Sequence, residues 1–176
     1  MTILEGGAPA TATPHCAGDV EDSPPAVLDL LLVCSSGGHL AQLAALSPWT
    51  SRHRRHWVCF DTPDAVSLLR GERVTWAHHP TTRNVVNLLR NLVLAWRLLT
   101  RERPDVVLST GAGTALPFFV VARLRGIPTV YLEVYDRLDS PTLTGRLCRP
   151  FTDRMLVQWD EQARLYRGAE VVGVVL

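Results

Sequence analysis

Short apolar runs alternate along this chain with longer stretches whose hydrophobic positions recur at helical spacing, a rhythm that predicts parallel βαβ units. Leu28–Ser35 reads as the first strand, turning at Gly37-Gly38-His39 into a helix through Leu46. A second strand is expected over His56–Phe60, and Asp61-Thr62 before Pro63 predicts a helix start. Val74–His78 gives a third strand, Asp105–Ser109 a fourth, Thr129–Glu133 a fifth and Met155–Gln158 a sixth. Helices are expected up to Arg125, up to Arg149 and over Glu161–Tyr166, and Val171–Val175 is a last strand-like run. The expected fold is a Rossmann-like α/β domain over residues 26–176, a parallel sheet with helices on both faces.

The longest periodic stretch runs from Asn84 to Arg103, before Pro104. Its apolar arc holds Val85, Val86, Leu88, Leu89, Leu92, Val93, Trp96 and Leu99, which the pattern predicts to face the core. The opposite face carries Arg83, Asn87, Arg90, Asn91, Arg97 and Arg101, interrupted by Leu94 and Leu98. A basic face with apolar knobs suits an anionic membrane surface, so Arg90, Leu94, Arg97, Leu98 and Arg101 form a candidate membrane contact. A plain solvated face is the other reading.

The net charge of +1 gives no global basic field for nucleic acid. Residues 1–25 are rich in Pro, Gly and Ala, lack the basic start and apolar centre of a signal peptide, and read as a disordered tail. No run approaches the length of a membrane span. Cys16, Cys34, Cys59 and Cys148 form no C-x-x-C pair; Cys34 and Cys59 fall in apolar runs, as buried free thiols do. His78-His79 alternate to opposite faces of a strand end, and Asp136 and Asp139 do not have metal-site spacing, so no metal or other cofactor is expected.

Two glycine loops carry the candidate chemistry. Ser36-Gly37-Gly38-His39 and Thr110-Gly111-Ala112-Gly113-Thr114 each follow a parallel strand and open a helix, where backbone amides and helix dipole suit a phosphate. His39 and the strand-end Glu133 are the groups available as base; Glu133 is favoured, with His39 orienting phosphate, and the reverse assignment stays open. A dinucleotide reading of Gly111-x-Gly113 competes, but Leu116 occupies the third glycine position.

Four segments resemble one known family over about Leu28 to Gln162. They are Ser35-Ser36-Gly37-Gly38-His39-Leu40; Arg103-Pro104-Asp105 through Thr114; Tyr131-Leu132-Glu133; and Leu143-Thr144-Gly145-Arg146-Leu147 running on to Val157-Gln158-Trp159. Together they are similar to the acceptor subunit of the eukaryotic enzyme that adds the second N-acetylglucosamine to a dolichol diphosphate. They are equally similar to bacterial PssD/CpsF-type exopolysaccharide glycosyltransferase subunits. The resemblance implies the N-terminal half of a GT-B glycosyltransferase, an enzyme class that needs no bound metal. This half would bind a lipid-diphosphate acceptor, peripherally on the inner face of the membrane.

A separate catalytic subunit would bring a UDP-sugar of the N-acetylglucosamine, glucose or glucuronate type. By the same resemblance Ser36, Gly37, Gly38, His39, Thr110, Gly111, Gly113, Thr114 and Arg137 would serve the acceptor diphosphate, and Glu133 would face the acceptor sugar. Relatives often have Ser-Phe-Ala-Arg where this chain has Val134-Tyr135-Asp136-Arg137, and the eukaryotic ones carry an N-terminal membrane span. The segment leading to a second domain in single-chain enzymes, with Gln158, Trp159, Tyr166, Val171 and Val174, is the expected partner interface. The rival reading is a self-sufficient nucleotide- or dinucleotide-binding Rossmann protein. It is disfavoured by the expectation that the sequence to Leu176 leaves no residues for a donor domain.

Overall fold

Residues 26–135 and 139–175 are described by a computed structural model of the chain. The tail expected over residues 1–25, with Cys16, and the candidate Arg137 lie outside the described residues. Seven strands form one sheet in the order β3-β2-β1-β4-β5-β6-β7, with every neighbouring pair parallel. They are β1 (Asp29–Val33), β2 (Arg54–Cys59), β3 (Val74–Trp76), β4 (Val106–Ser109), β5 (Thr129–Leu132), β6 (Arg154–Val157) and β7 (Glu170–Val171). The helices are α1 (Gly38–Ala45), α2 (Ser47–Thr50), α3 (Pro63–Leu68), α4 (Val85–Glu102), α5 (Ala115–Leu124), α6 (Leu143–Cys148) and α7 (Asp160–Leu165).

The period-two alternation of β1 sorts the core into two layers. Leu30, Leu32 and Cys34 pack with Leu40 and Leu43 of α1 and Ala65 of α3. Leu31 and Val33 join Ala95, Leu98 and Leu99 of α4 and Phe118, Phe119 and Ala122 of α5. The strand order reverses its direction of growth between β1 and β4, so the loops after these two strands flank the switch point where open α/β sheets take ligands. Cys34 and Cys59 are buried free thiols, as expected, and so is Cys148, whose thiol burial pushes up to about 12.

α4 begins and ends as the sequence predicts. The Asn84 side chain caps its first turn by accepting from the Asn87 amide, and Arg103 leaves it in the left-handed region before Pro104. Its rotation, however, differs from the expected one: of the predicted arc only Leu99 is buried, with Leu92 packed against the core. Asn87, Asn91, Ala95, Leu98 and Leu99 are buried, while Val85, Val86, Leu89, Val93 and Trp96 are exposed, at 67% for Val85 and 51% for Trp96.

Three side-chain bonds explain this orientation. The Asn91 carboxamide accepts from the His78 amide at 2.8 Å and donates to the His78 carbonyl at 2.9 Å, and Asn87 donates to the Pro80 carbonyl at 2.9 Å. The chain leaving edge strand β3 thus finds on α4 the partners that a further strand would have supplied. Leu98, expected on a membrane-facing surface, is only 4% exposed because it turns into the core with Leu99, and Leu94 packs partly against the same cluster. Arg90, Arg97 and Arg101 do lie at the surface.

The far end of α4 meets β2 and β3 in an ionic cluster. Glu102, closing α4, accepts from His56 Nδ1 at 2.6 Å and from Arg73 at 2.7 Å, and His56 Nε2 meets the Thr75 hydroxyl at 2.8 Å. Burial opposes ionisation of Glu102, but the bonds from His56 and Arg101 and the charges of His56 and Arg73 outweigh it, so its pKa lies below the ordinary carboxylate value. Stability from a depressed carboxylate is present above the unfolded pKa and is lost as pH falls through the folded one. Glu102→Gln is therefore expected to cost about 2 kcal/mol at neutral pH. In urea unfolding the deficit should shrink as the pH is lowered past the ordinary glutamate range; a pH-independent deficit would mean that Glu102 acts by shape alone.

Candidate functional site

The two glycine loops meet at the switch point and are laced to each other. His39 Nδ1 lies 2.8 Å from the Thr110 carbonyl, and the Thr110 hydroxyl donates to the His39 carbonyl at 2.7 Å. A carbonyl only accepts, so in the neutral ring Nδ1 carries the proton and Nε2 keeps the lone pair. The His39 ring lines a cleft of about 420 Å³ together with Gly38, Gln42, Ala112, Val134, Tyr135, Thr142 and Thr144.

Each glycine has its own reason. Gly37 has φ 73° with open space around its missing side chain, so it serves backbone geometry. Its amide donates to the Asp64 carboxylate of α3 at 2.9 Å, a contact that sequence reading did not foresee. Gly111 combines φ 106° with close quarters: a Cβ there would lie 2.5 Å from the Tyr131 hydroxyl. Gly113 is packed against Thr81, whose hydroxyl a Cβ would meet at 2.7 Å.

Several expected contacts are placed differently. Thr110 and Thr114 are fully buried, the first with its hydroxyl spent on the His39 carbonyl and the second with a hydroxyl that has no partner among the described residues. Ser36 is half-buried at the loop. Glu133, expected to face an acceptor sugar, is 1% exposed. Its carboxylate accepts from the Val134 amide and the Thr142 hydroxyl, each at 3.1 Å, and from the Tyr166 hydroxyl. A carboxylate with three donors and no exposed surface is not presented to the cleft.

The expected partner segment is also corrected in part. Gln158 is buried, donating to the Gln42 carboxamide at 2.9 Å and the Glu133 carbonyl at 3.0 Å and accepting from the Val175 amide at 3.1 Å. Tyr166 is buried as well. Trp159 is half-buried, with its indole donating to the Tyr135 carbonyl, and Val171 and Val174 remain exposed. Among the described residues no three His, Cys, Asp or Glu side chains gather as a metal site would require, and no helix is long and apolar enough to cross a membrane.

Beside the cleft runs an apolar groove of about 720 Å³ lined by Thr81, Thr82, Asn84, Val85, Leu88, Leu116, Leu143 and Leu147 among others. Thr144 lines both hollows, so they adjoin. Leu143 is 72% exposed on the rim, next to the bare apolar side of α4. No periodicity of the short segment Leu143–Cys148 could have revealed this groove, because it is assembled from three separate elements.

A parallel sheet in this order, with paired loops at its switch point, defines a Rossmann-like domain of the kind that forms the N-terminal half of GT-B glycosyltransferases. It superposes on MurG of Acinetobacter baumannii with a TM-score of 0.65 at 16% identity, covering 82% of this chain and 44% of that one. The chain belongs to the family described as oligosaccharide biosynthesis protein Alg14 like, whose model matches residues 30–175. The UDP-N-acetylglucosamine transferase subunit ALG14 of Rattus norvegicus is 27% identical over 180 aligned positions, 85% of this chain and 83% of that protein. The corresponding subunit of Schizosaccharomyces pombe is 38% identical over 77, 41% of this chain and 37% of that protein.

Proposed function

We propose that this chain binds the lipid-diphosphate-linked acceptor of a glycosyltransferase and works with a separate catalytic subunit that brings a UDP-sugar. N-acetylglucosamine, the sugar in the names of its relatives, is the first candidate. The observation that carries this reading is the adjacency of a polar cleft at two phosphate-type loops to an apolar groove and an exposed apolar helix face. A diphosphate flanked by a sugar on one side and a lipid on the other has this sequence of polarities. His39 is the base in this reading: Nε2 holds the free lone pair that takes the acceptor hydroxyl proton as the sugar is transferred.

Membrane contact moves with the rotation of α4. The surface is the apolar row Val85, Val86, Leu89, Val93 and Trp96, flanked by Arg90 and Arg97. Exposed apolar side chains of this kind gain up to about 1.5–3 kcal/mol each on full burial. The exposed Val171 and Val174 remain the candidate contact with the catalytic subunit, peripheral attachment placing both at the inner face of the membrane.

The test is a transfer assay with the catalytic subunit present, using one acceptor anchored in liposomes and one with a short, water-soluble lipid. Wild type is expected to use both. Leu89→Ser/Val93→Ser/Trp96→Ser should lose liposome flotation and at least about tenfold in rate on the anchored acceptor. Its rate on the soluble acceptor should stay near wild type. Equal rates on both acceptors would remove α4 from the membrane, and no transfer to either acceptor by wild type would overturn the assignment.

A further inference from the structure

The segment Leu143–Leu147 contains a glycine in the first turn of a short helix, where glycine is a poorer helix former than alanine unless packing demands it. The demand is visible: a Cβ on Gly145 would overlap the Tyr166 hydroxyl, the Glu133 carboxylate and the Thr142 hydroxyl together. These three groups form a closed ring of hydrogen bonds under α6. The Thr142 hydroxyl accepts from the Gly145 amide at 3.0 Å, capping the helix, and donates its proton to Glu133. The Tyr166 hydroxyl accepts from the Thr142 amide at 3.2 Å and donates to Glu133. Burial, and then the bond to Glu133, raise the phenol above its ordinary range, which keeps it a donor.

Resting on the acceptor reading above, we infer that Glu133 is a positioning residue: through Thr142 and Tyr166 it clamps the start of α6 and so sets the wall of the acceptor cleft. The Glu133 side chain is the one group in the ring that accepts from both hydroxyls at once. Thr142 and Thr144 line the cleft directly, and Thr144 also lines the apolar groove. Tyr135, two residues beyond Glu133, forms another part of the same wall and receives the Trp159 indole bond. A shift of α6 therefore moves the surface against which an acceptor rests, without touching the His39 ring.

The clamp and a catalytic base predict different kinetics. Glu133→Gln, Tyr166→Phe and Thr142→Val are assayed with the catalytic subunit and a farnesyl-diphosphate-linked N-acetylglucosamine as acceptor. Each should raise the acceptor KM by about tenfold with kcat within about threefold of wild type and the pH profile unmoved. Tyr166→Phe/Glu133→Gln should be no worse than the weaker single variant, because one ring is broken in either case. A fall in kcat of about 10² or more in Glu133→Gln, with Tyr166→Phe near wild type, would make Glu133 the base and overturn the inference. The clamp is also tested without any reaction. In the full chain, hydrogen exchange at the Thr142 and Gly145 amides should quicken in Tyr166→Phe, and unchanged exchange would overturn it whatever the wild-type protein transfers.

Discussion

His39→Ala is expected to lower transfer by about 10²–10⁴, the largest loss of any single side chain in the cleft, with the circular dichroism spectrum retained. The ring is fixed by the Thr110 carbonyl at Nδ1, so the lone pair at Nε2 does not depend on a tautomer choice made when substrate arrives. His39→Asn is the informative companion. An asparagine amide can donate to the Thr110 carbonyl and keep the loops laced, but it offers no basic nitrogen. Its kcat should fall as far as that of alanine while its stability stays closer to wild type. A loss below about tenfold would assign proton removal to another group.

Gly111→Ala should be the most destabilising single-methyl change in the two glycine loops, at about 3 kcal/mol. Two independent costs add at this position. The backbone has φ 106°, outside the comfortable range of any L side chain, and the new methyl would press on the Tyr131 hydroxyl at 2.5 Å, its ring carbon at 3.2 Å and the His39 ring at 3.4 Å. Gly37→Ala meets only the first cost, since nothing lies within 4 Å, and about 1 kcal/mol is expected there. Urea unfolding of both variants separates the costs. Tyr131→Phe in the Gly111→Ala background should recover part of the deficit by removing the oxygen in contact. Equal deficits in the two alanine variants, with no recovery, would show that packing against Tyr131 contributes nothing.

The sheet was legible because β1, β2, β4, β5 and β6 each carry a short apolar stretch, and buried parallel strands leave that trace. The loops were legible for the same reason: glycine after a strand is a local signal. The rotation of α4 was not. Periodicity measures which residues share a face and cannot say which face meets the sheet, and here two asparagines matched to the backbone at His78 and Pro80 decide it. Glu133 misled for a related reason. A carboxylate at a strand end looks available until Thr142 and Tyr166, from distant positions, are seen to enclose it. The glycine in the first turn of α6 was the one local hint.

Those asparagines also fix α4 as a ratchet fixes a wheel. Rolling the helix to hide its bare side would strip partners from His78 and Pro80 and bury charged arginines in exchange, at about 1–3 kcal/mol for each stranded group. The greasy side is thus not an adaptable feature that appears when something arrives to cover it. It is present in the chain from the moment of folding, and the cell must keep it occupied or dilute.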